Sequence, residues 1–351
     1  MFQKIKIIFR KYFLQFLILY QLYNKKTYNE NNKSVVFDIK RPSCFLRHLV
    51  NPTVFFVLNN YNVFFRFRYH FTKQLGFYYR LISNREEVRL IFKKPKFVSY
   101  YFTNDASDKQ NILIKPDEFG IEEYQHDSFR VPPPMHPMVY NANTFDLVER
   151  IRTEKEIVKK YRIVFAGNLA SEMYKSFNWG NELYINRVKL VSLLIEEFHD
   201  KVFIPKTYEE YINDKGALIC IIDRSWFSLN TEDYFRFYQS GYFSFCPPGI
   251  RQPFCHNLIE SMYTGCIPIL QYGKLMSPEL INNFNSVSYN NADSFLRGIY
   301  SVLKMEKRLI DSMSDNVTKY YDNNLSPEAV VNNLENSILN GCKTIYMPAG
   351  N

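Results

Sequence analysis

A chain of 351 residues with 46% hydrophobic content is long enough for two domains with separate cores, which excludes a single small module. Its formal net charge of +9 is unevenly placed: the first 100 residues hold 19 Lys or Arg against 4 Asp or Glu, and the other 251 hold 25 against 31. Such polarity suits an anionic membrane surface, a phosphate-bearing acceptor, nucleic acid or a plain solvated basic face, and it does not choose among them.

The first predicted element is a basic, aromatic segment over residues 1–33. Its apolar stretch from Tyr12 to Tyr23 is broken only by Gln15 and Gln21. That is shorter than the roughly 20 residues a spanning helix needs, and no small-residue cleavage site follows it. An amphipathic helix lying on a membrane, with Lys4, Lys6, Arg10 and Lys11 toward lipid phosphates, is one expectation; a helix packed on its own domain is the other. The chain is accordingly expected in the cytoplasm, at most peripheral on a membrane.

From residue 34 to about 140, short β-type runs recur, SVVFDI, TVFFVLNN, EEVRLIF, KFVSYYF and NILIKP, separated by polar or proline-bearing turns. RVPPPMHP, Arg130 to Pro137, is too proline-rich for a helix or central strand. With the helical-looking FDLVERIRTEKEIVKKY after it, it marks a boundary, and the first domain is set at 34–150.

The pattern then becomes alternation. Strand RIVFAGN, helix ELYINRVKLVSLLIEEF, strand KVFIPK, the apolar run ALICIID, helix TEDYFRFYQSG, strand YFSFC, helix PFCHNLIESMY and strand CIPIL come in that order. Apolar strands alternating with amphipathic helices specify a parallel, doubly wound sheet, set at residues 151–320. Residues 321–351 are taken as a terminal helix and tail.

The six cysteines form no Cys-x-x-Cys pair, and four sit in apolar runs, as buried reduced thiols do. A zinc site from Cys246, Cys255, His256 and Cys266 matches no metal framework. Asn316-Val-Thr fits a glycosylation acceptor but comes with no export signal.

The stretch least like ordinary core is FCPPGIRQPFCHNLIESMYTGCIPILQYG, Phe245 to Gly273. In a doubly wound sheet ligands bind beyond the carboxyl ends of the strands, and Pro-Pro-Gly lies at one such end. Gly249 permits a backbone path close to a ligand, and the helix after it offers free N–H groups and a positive dipole end to a phosphate. His256 and Glu260, four residues apart, share a helix face. A carboxylate there can accept from the hydroxyls of a ribose, and an imidazole or amide, His256 or Asn257, can hold a sugar or phosphate oxygen. A lone His-x-x-x-Glu equally suits a helix satisfied by itself; the order strand, Pro-Pro-Gly, helix with Glu, Gly, Ile-Pro-Ile is the more specific feature.

That block, from Tyr234 to Leu270, resembles the nucleotide-sugar-binding domain of exostosin-like glycosyltransferases, and more broadly of glycosyltransferases with two facing Rossmann-like domains and a central cleft, the GT-B type. The family's Ala-x-Gly-x-(Ile or Val)-Pro-Val is Tyr263-Thr264-Gly265-Cys266-Ile267-Pro268-Ile269 here, with Tyr263 in place of the small Ala. FAGN and the Arg of INRVKL are similar to the family's first strand-loop and the basic helix after it. The resemblance spans roughly residues 160 to 305. It implies that Glu260 binds the donor ribose and that Gly249 with its helix faces the diphosphate. It also puts Gly167 and Asn168 in a loop facing the cleft and makes Arg187 and Arg251 candidates for neutralising the leaving group, although an Arg on an amphipathic helix is also simply solvated.

Breaking a bond between a sugar and a nucleoside diphosphate builds negative charge that something fixed must stabilise. No Asp-x-Asp occurs, so a metal-independent transfer without a cofactor is expected, from a nucleotide sugar to a glycan or lipid-linked glycan, by inverting displacement. The general base is expected from the first domain, across the cleft. Asp105, Asp117, Glu118, His126, Asp127 and His136 sit in loop-like settings, and Asp105 and His136 are singled out. Two other readings stand beside this one. The aromatic and basic YNVFFRFRYHF suggests a nucleic-acid-binding protein, against which its apolar alternation and the lack of a reading motif argue. A catalytically silent glycan-binding scaffold of the same fold is the third.

Overall fold

The computed structural model describes residues 31–40, 46–66, 85–93, 97–117, 127–154, 158–170, 177–179, 182–214, 216–249 and 253–348, with isolated positions at 13, 16, 20, 22, 23, 29, 95 and 124. The expected N-terminal amphipathic helix, Arg251, Glu118 and His126 lie wholly or almost wholly outside them. Among the described residues no helix is long and apolar enough to cross a membrane.

The chain divides into two compact units, one holding the residues up to Pro132 together with those from Ser326 onward, the other Pro133–Leu325. The sequence reading ends the first domain at 150 and gives 321–351 to a separate tail. Instead the helix Ala142–Thr153 packs on the helix Thr231–Gln239 of the second unit, and the chain returns at its end to complete the first unit's sheet.

That first sheet has seven strands in the order Val88–Ile91, Asn62–Arg66, Ser34–Asp38, Tyr100–Thr103, Ile112–Asp117, Thr344–Pro348 and Ser128–Arg130, all pairings parallel. Parallel strands covered on both faces read as continuous apolar runs, as VVF and VFF do here. Phe37, 1% exposed, stacks on Phe65 and Phe102 at ring distances of 5.6 and 5.3 Å. YNVFFRFRYHF thus begins with a core strand rather than a stacking surface. The terminal strand TIYMP escapes a sequence reading because five residues after a long helix carry little periodic signal.

TVFFVLNN, expected as a strand, is helical from Thr53 to Leu58, within the helix Leu46–Leu58, and Asn59 and Asn60 form the turn after it. A short run of β-branched and aromatic residues has no period that separates a strand from a helix buried all round. Here it is buried from Leu49 to Val57 and lies against the helix Pro327–Leu339. Asn60, at φ 61°, ends it in the left-handed conformation that Asn tolerates.

The second unit carries a six-stranded parallel sheet in the order Val202–Phe203, Ile219–Asp223, Tyr161–Gly167, Gly241–Phe245, Ile267–Leu270 and Val287–Ser288. The mixed α/β class with two parallel sheets matches the expectation. Tyr161–Gly167 comes first in sequence yet sits centrally: the chain runs next to the edge strand Val202–Phe203, returns inward to Ile219–Asp223 beside it, and then builds outward on the other side from Gly241–Phe245. The strand order reverses between Tyr161–Gly167 and Gly241–Phe245, and their carboxyl ends form the switch point where ligands of such sheets bind.

Candidate functional site

Gly167 closes the first strand of the switch point. A Cβ there would meet the Phe165 ring at 2.6 Å and the Arg187 guanidinium at 3.1 Å, so only glycine lets that cation lie against the strand end. Asp223, at the end of the neighbouring strand and 7% exposed, accepts hydrogen bonds from the amides of Leu169 and Ser225 at 3.2 and 2.9 Å and so fastens the loop after Gly167. Asn168 steadies the same loop, its side chain accepting from the Ala170 amide at 2.8 Å.

Arg187 opens the helix Arg187–Phe198, which Asn186 caps by accepting from the Lys189 amide. The sequence leaves it open whether Arg187 is simply solvated; it is 4% exposed. Its guanidinium lies 5.3 Å from the Phe165 ring centre, donates to the Asn168 carbonyl at 3.2 Å, and approaches the Cys255 sulfur at 3.3 Å.

The second strand ends in Cys246-Pro247-Pro248-Gly249. The expectation that Gly249 offers its backbone to a ligand does not hold. Gly249 is buried, takes no left-handed φ, and its amide donates to the Pro253 carbonyl at 3.1 Å. The bend is therefore an internal closure, and the groups presented beyond it come from the helix His256–Tyr263. Gly265 ends that helix at φ +75°, where a side chain is strained. Gly265→Ala is expected to cost about 1–2 kcal/mol in denaturant unfolding.

Glu260 corrects the sequence reading most. It is 1% exposed, with both oxygens engaged inside the unit: Oε1 accepts from the His136 amide at 3.0 Å, and Oε2 from the Tyr234 hydroxyl at 2.6 Å and from His256 Nδ1 at 3.0 Å. A carboxylate so enclosed has no oxygen to offer a ribose. It acts as an anchor, tying the proline segment before Pro137 and the helix Thr231–Gln239 to the site helix. Sequence reasoning misses Tyr234 because nothing in its spacing announces a buried carboxylate partner.

The group this anchor presents is His256, whose side chain keeps 34% exposure. Burial disfavours its cation, but the charge and hydrogen bond of Glu260 outweigh that and hold its pKa up to about 9. Burial likewise raises Glu260, and the His256 charge with three hydrogen bonds outweighs it, leaving the carboxyl at about 2. The pair is thus a buried carboxylate beneath an imidazolium. Cys255, at the helix N-cap, obeys the same logic: burial opposes its ionisation, while Arg187, His256 and the Asn257 amide prevail and lower its pKa. Asn257 itself is 2% exposed and its Oδ1 has no hydrogen-bond partner among the described residues.

His136, expected across the cleft in the first domain, belongs to the second unit. There its amide holds Glu260 and its ring meets that of His256 edge-on at 5.1 Å. Its Nδ1 accepts from the Met138 amide at 3.2 Å. Asp105 does lie in the first unit, bound to Lys40 and to the Ser107 hydroxyl and amide, which together hold it at about 2. Asp117, 1% exposed, accepts from Arg130 and Tyr124. The structure thus brings together Gly167, Asn168, Arg187, His256, Asn257, Glu260 and His136 in one unit. Among the described residues no group of three His, Cys, Asp or Glu could hold a metal ion.

Tyr263 stands where the resembling family has a small residue. It fits because the helices Ala142–Thr153 and Lys307–Asn324 leave a slot in which its ring meets Phe235, Tyr321 and Arg152, and its hydroxyl donates to Glu149 at 2.8 Å.

No protein-family model matches the sequence, and no curated protein matches it. Among solved structures the chain is similar to a glycosyltransferase from Rickettsia africae ESF-5, at 10% identity over 89% of this chain and 100% of that one, with a TM-score of 0.49. It is similar to Anabaena HepE in complex with UDP and glucose at 8% identity over 88% and 100%, with a TM-score of 0.42. It is also similar to the N-terminal domain of Candida albicans trehalose-6-phosphate phosphatase at 9% identity over 88% of this chain and 70% of that one, with a TM-score of 0.36. Likenesses this distant say nothing of what this chain binds.

Proposed function

We propose that this protein is a GT-B-type glycosyltransferase, moving a sugar from a nucleoside diphosphate to a hydroxyl of a glycan or lipid-linked glycan. The observation that carries the reading is the switch point of the second sheet. There an imidazolium fixed by a buried carboxylate, His256 on Glu260, stands at a helix N-terminus, with the Arg187 guanidinium behind it. Two cations and a helix dipole at one strand end suit a group that gains negative charge as it leaves, and they are fixed before the reaction begins. His256 can in addition give a proton to the departing phosphate, since it is protonated at neutral pH.

Glu260 enters this reading as the support of His256 rather than as a ribose ligand. Asp105 remains a candidate base in the first unit, ionised but weak because Lys40 draws on its charge. The basic first 100 residues fit an acceptor that carries phosphate or sits on an anionic membrane. The test is a thermal-shift panel of UDP, GDP, CMP and dTDP and then turnover of the matching nucleotide sugar, since a ligand of the native state raises the melting temperature. One base is expected to stand out; a flat panel with no turnover overturns the assignment.

A further inference from the structure

The first sheet has a switch point of its own, which the site described above does not use. The chain begins this sheet at Ser34–Asp38, moves out through Asn62–Arg66 to Val88–Ile91, and then returns to the other side of the first strand at Tyr100–Thr103 and Ile112–Asp117. The order therefore reverses between Ser34–Asp38 and Tyr100–Thr103, and in a parallel sheet ligands bind beyond the carboxyl ends at such a reversal.

Polar groups meet at those ends. Asp38 and Arg66 follow directly on the paired Phe37 and Phe65, so the two strand ends stand side by side. Asp38, 3% exposed, accepts at Oδ2 from the Tyr101 hydroxyl at 2.7 Å and from Arg66 Nη1 at 2.9 Å, and the same nitrogen donates to the Tyr101 oxygen at 3.1 Å. The loops on either side of the reversal are fastened to each other: the Lys40 amide donates to the Asn104 side chain at 2.7 Å, and the Lys40 ammonium pairs with Asp105.

The carboxylate of the Arg66 pair is buried and its cation is not, the Asp38 side chain being 4% exposed and that of Arg66 33%. A guanidinium that only neutralises a carboxylate commonly does so with two nitrogens in a fork. Arg66 uses one, and its Nε and Nη2 have no hydrogen-bond partner among the described residues. Those two nitrogens lie on one edge of a planar group and point their N–H bonds the same way, which two oxygens of a carboxylate or phosphate match.

We propose that this end of the first sheet is a second binding site, whose ligand carries a carboxylate or phosphate group received on the Nε and Nη2 edge of Arg66. Asp38 fixes the guanidinium from beneath and cancels its charge, so recognition comes from the two directed hydrogen bonds. The 19 Lys or Arg against 4 Asp or Glu of the first 100 residues add a field that draws anions to this part of the chain. The site stands on the first unit alone. Resting on the transferase reading above, the anion belongs to the acceptor, which is then an acidic or phosphorylated glycan and not a neutral one.

The test uses the whole chain with isotopically labelled arginine, the Arg66 Nε–H resonance being identified by its absence in Arg66→Lys. Sodium phosphate, sodium acetate and sodium chloride are titrated at matched ionic strength. Phosphate or acetate is expected to move that resonance along a saturating curve and chloride is not, and the tighter of the first two names the group. The backbone amides of Asp38 and Lys40 read the same event once the side chain is changed. There Arg66→Gln is expected to weaken binding roughly 10–100-fold, the worth of a hydrogen bond to a charged group, and Arg66→Lys, which keeps the charge and loses the fork, to weaken it less. Should the glutamine variant fail to fold, the wild-type titration and Arg66→Lys decide. The same response to all three salts, or binding unchanged by substitution of Arg66, overturns the proposal. A saturating response at Arg66 beside a flat nucleotide panel keeps this site and counts against the transferase, whereas nucleotide binding with no response at Arg66 sinks this site alone.

Discussion

Glu260→Ala is expected to destabilise the second unit by about 3 kcal/mol, the lower end of the cost of removing one partner from a buried ion pair. The lower end applies because His256 keeps 34% side-chain exposure and can turn to water, whereas the His136 amide and the Tyr234 hydroxyl lose their acceptor outright. For a unit of this size that is a fall of about 6–12 °C in melting temperature. Glu260→Gln separates charge from hydrogen bonding. It keeps an oxygen for Tyr234 or His136 and should lose less stability, but it removes the charge that holds the His256 proton, so the His256 pKa measured by NMR should fall toward its ordinary range. A ribose ligand on the surface would behave oppositely, leaving stability untouched and donor affinity reduced. Unchanged unfolding of the alanine variant would therefore return Glu260 to the ribose and remove the anchor.

The pH dependence of stability comes from the same pair. His256 has a folded pKa raised above its unfolded value, so its contribution is complete below about pH 6.5 and is lost as pH rises through about 9. Glu260 has a folded pKa lowered to about 2, so its contribution is present above its ordinary value of 4.5 and is lost as pH falls through the acid range. Both windows describe one interaction seen from its two ends, and it is counted once.

How much of the fold and the site is legible in the sequence depends on whether a residue's role is local. The alternation after residue 150 announces a parallel sheet because strands buried on both faces and helices buried on one have different periods. Pro-Pro-Gly and Gly265 announce chain reversals at strand and helix ends, and spacing alone places His256 and Glu260 on one helix face. Spacing does not carry the direction from which partners come. Glu260 meets His136, 124 positions away, and Tyr234, 26 positions away, and only the fold brings them to it. The same holds for Arg187, solvated or buried according to whether Gly167 and Cys255 pack on it, and for TVFFVLNN, a strand or a helix according to what covers its faces.

Binding of a nucleoside diphosphate is expected to weaken as pH rises from 7 through about 9, because the His256 imidazolium then loses the proton that faces the phosphates. His256 is surrounded by Glu260 and Cys255 on its own chain segment, Arg187 from the neighbouring helix, His136 from the turn before Pro137, and Tyr234 through Glu260. Arg187 stays charged throughout and Tyr234 is raised well above its ordinary value, so neither gains or loses charge in step with the expected fall, while Cys255, whose ionisation Arg187 and His256 favour against burial, is replaced by Ser in both proteins compared so that its thiol does not enter the profile. At pH 7 His256→Gln is expected to lower affinity by roughly 10–100-fold, the worth of a hydrogen bond to a charged group. Its remaining binding should be nearly level between pH 7 and 9, which calorimetry at three pH values reads directly. The level profile is the diagnostic part: a variant that merely loosens the site weakens binding at every pH and keeps the slope. A wild-type affinity that holds constant to pH 10 would mean that the imidazolium does not touch the phosphates, and the cradle would then rest on Arg187 and the helix terminus alone.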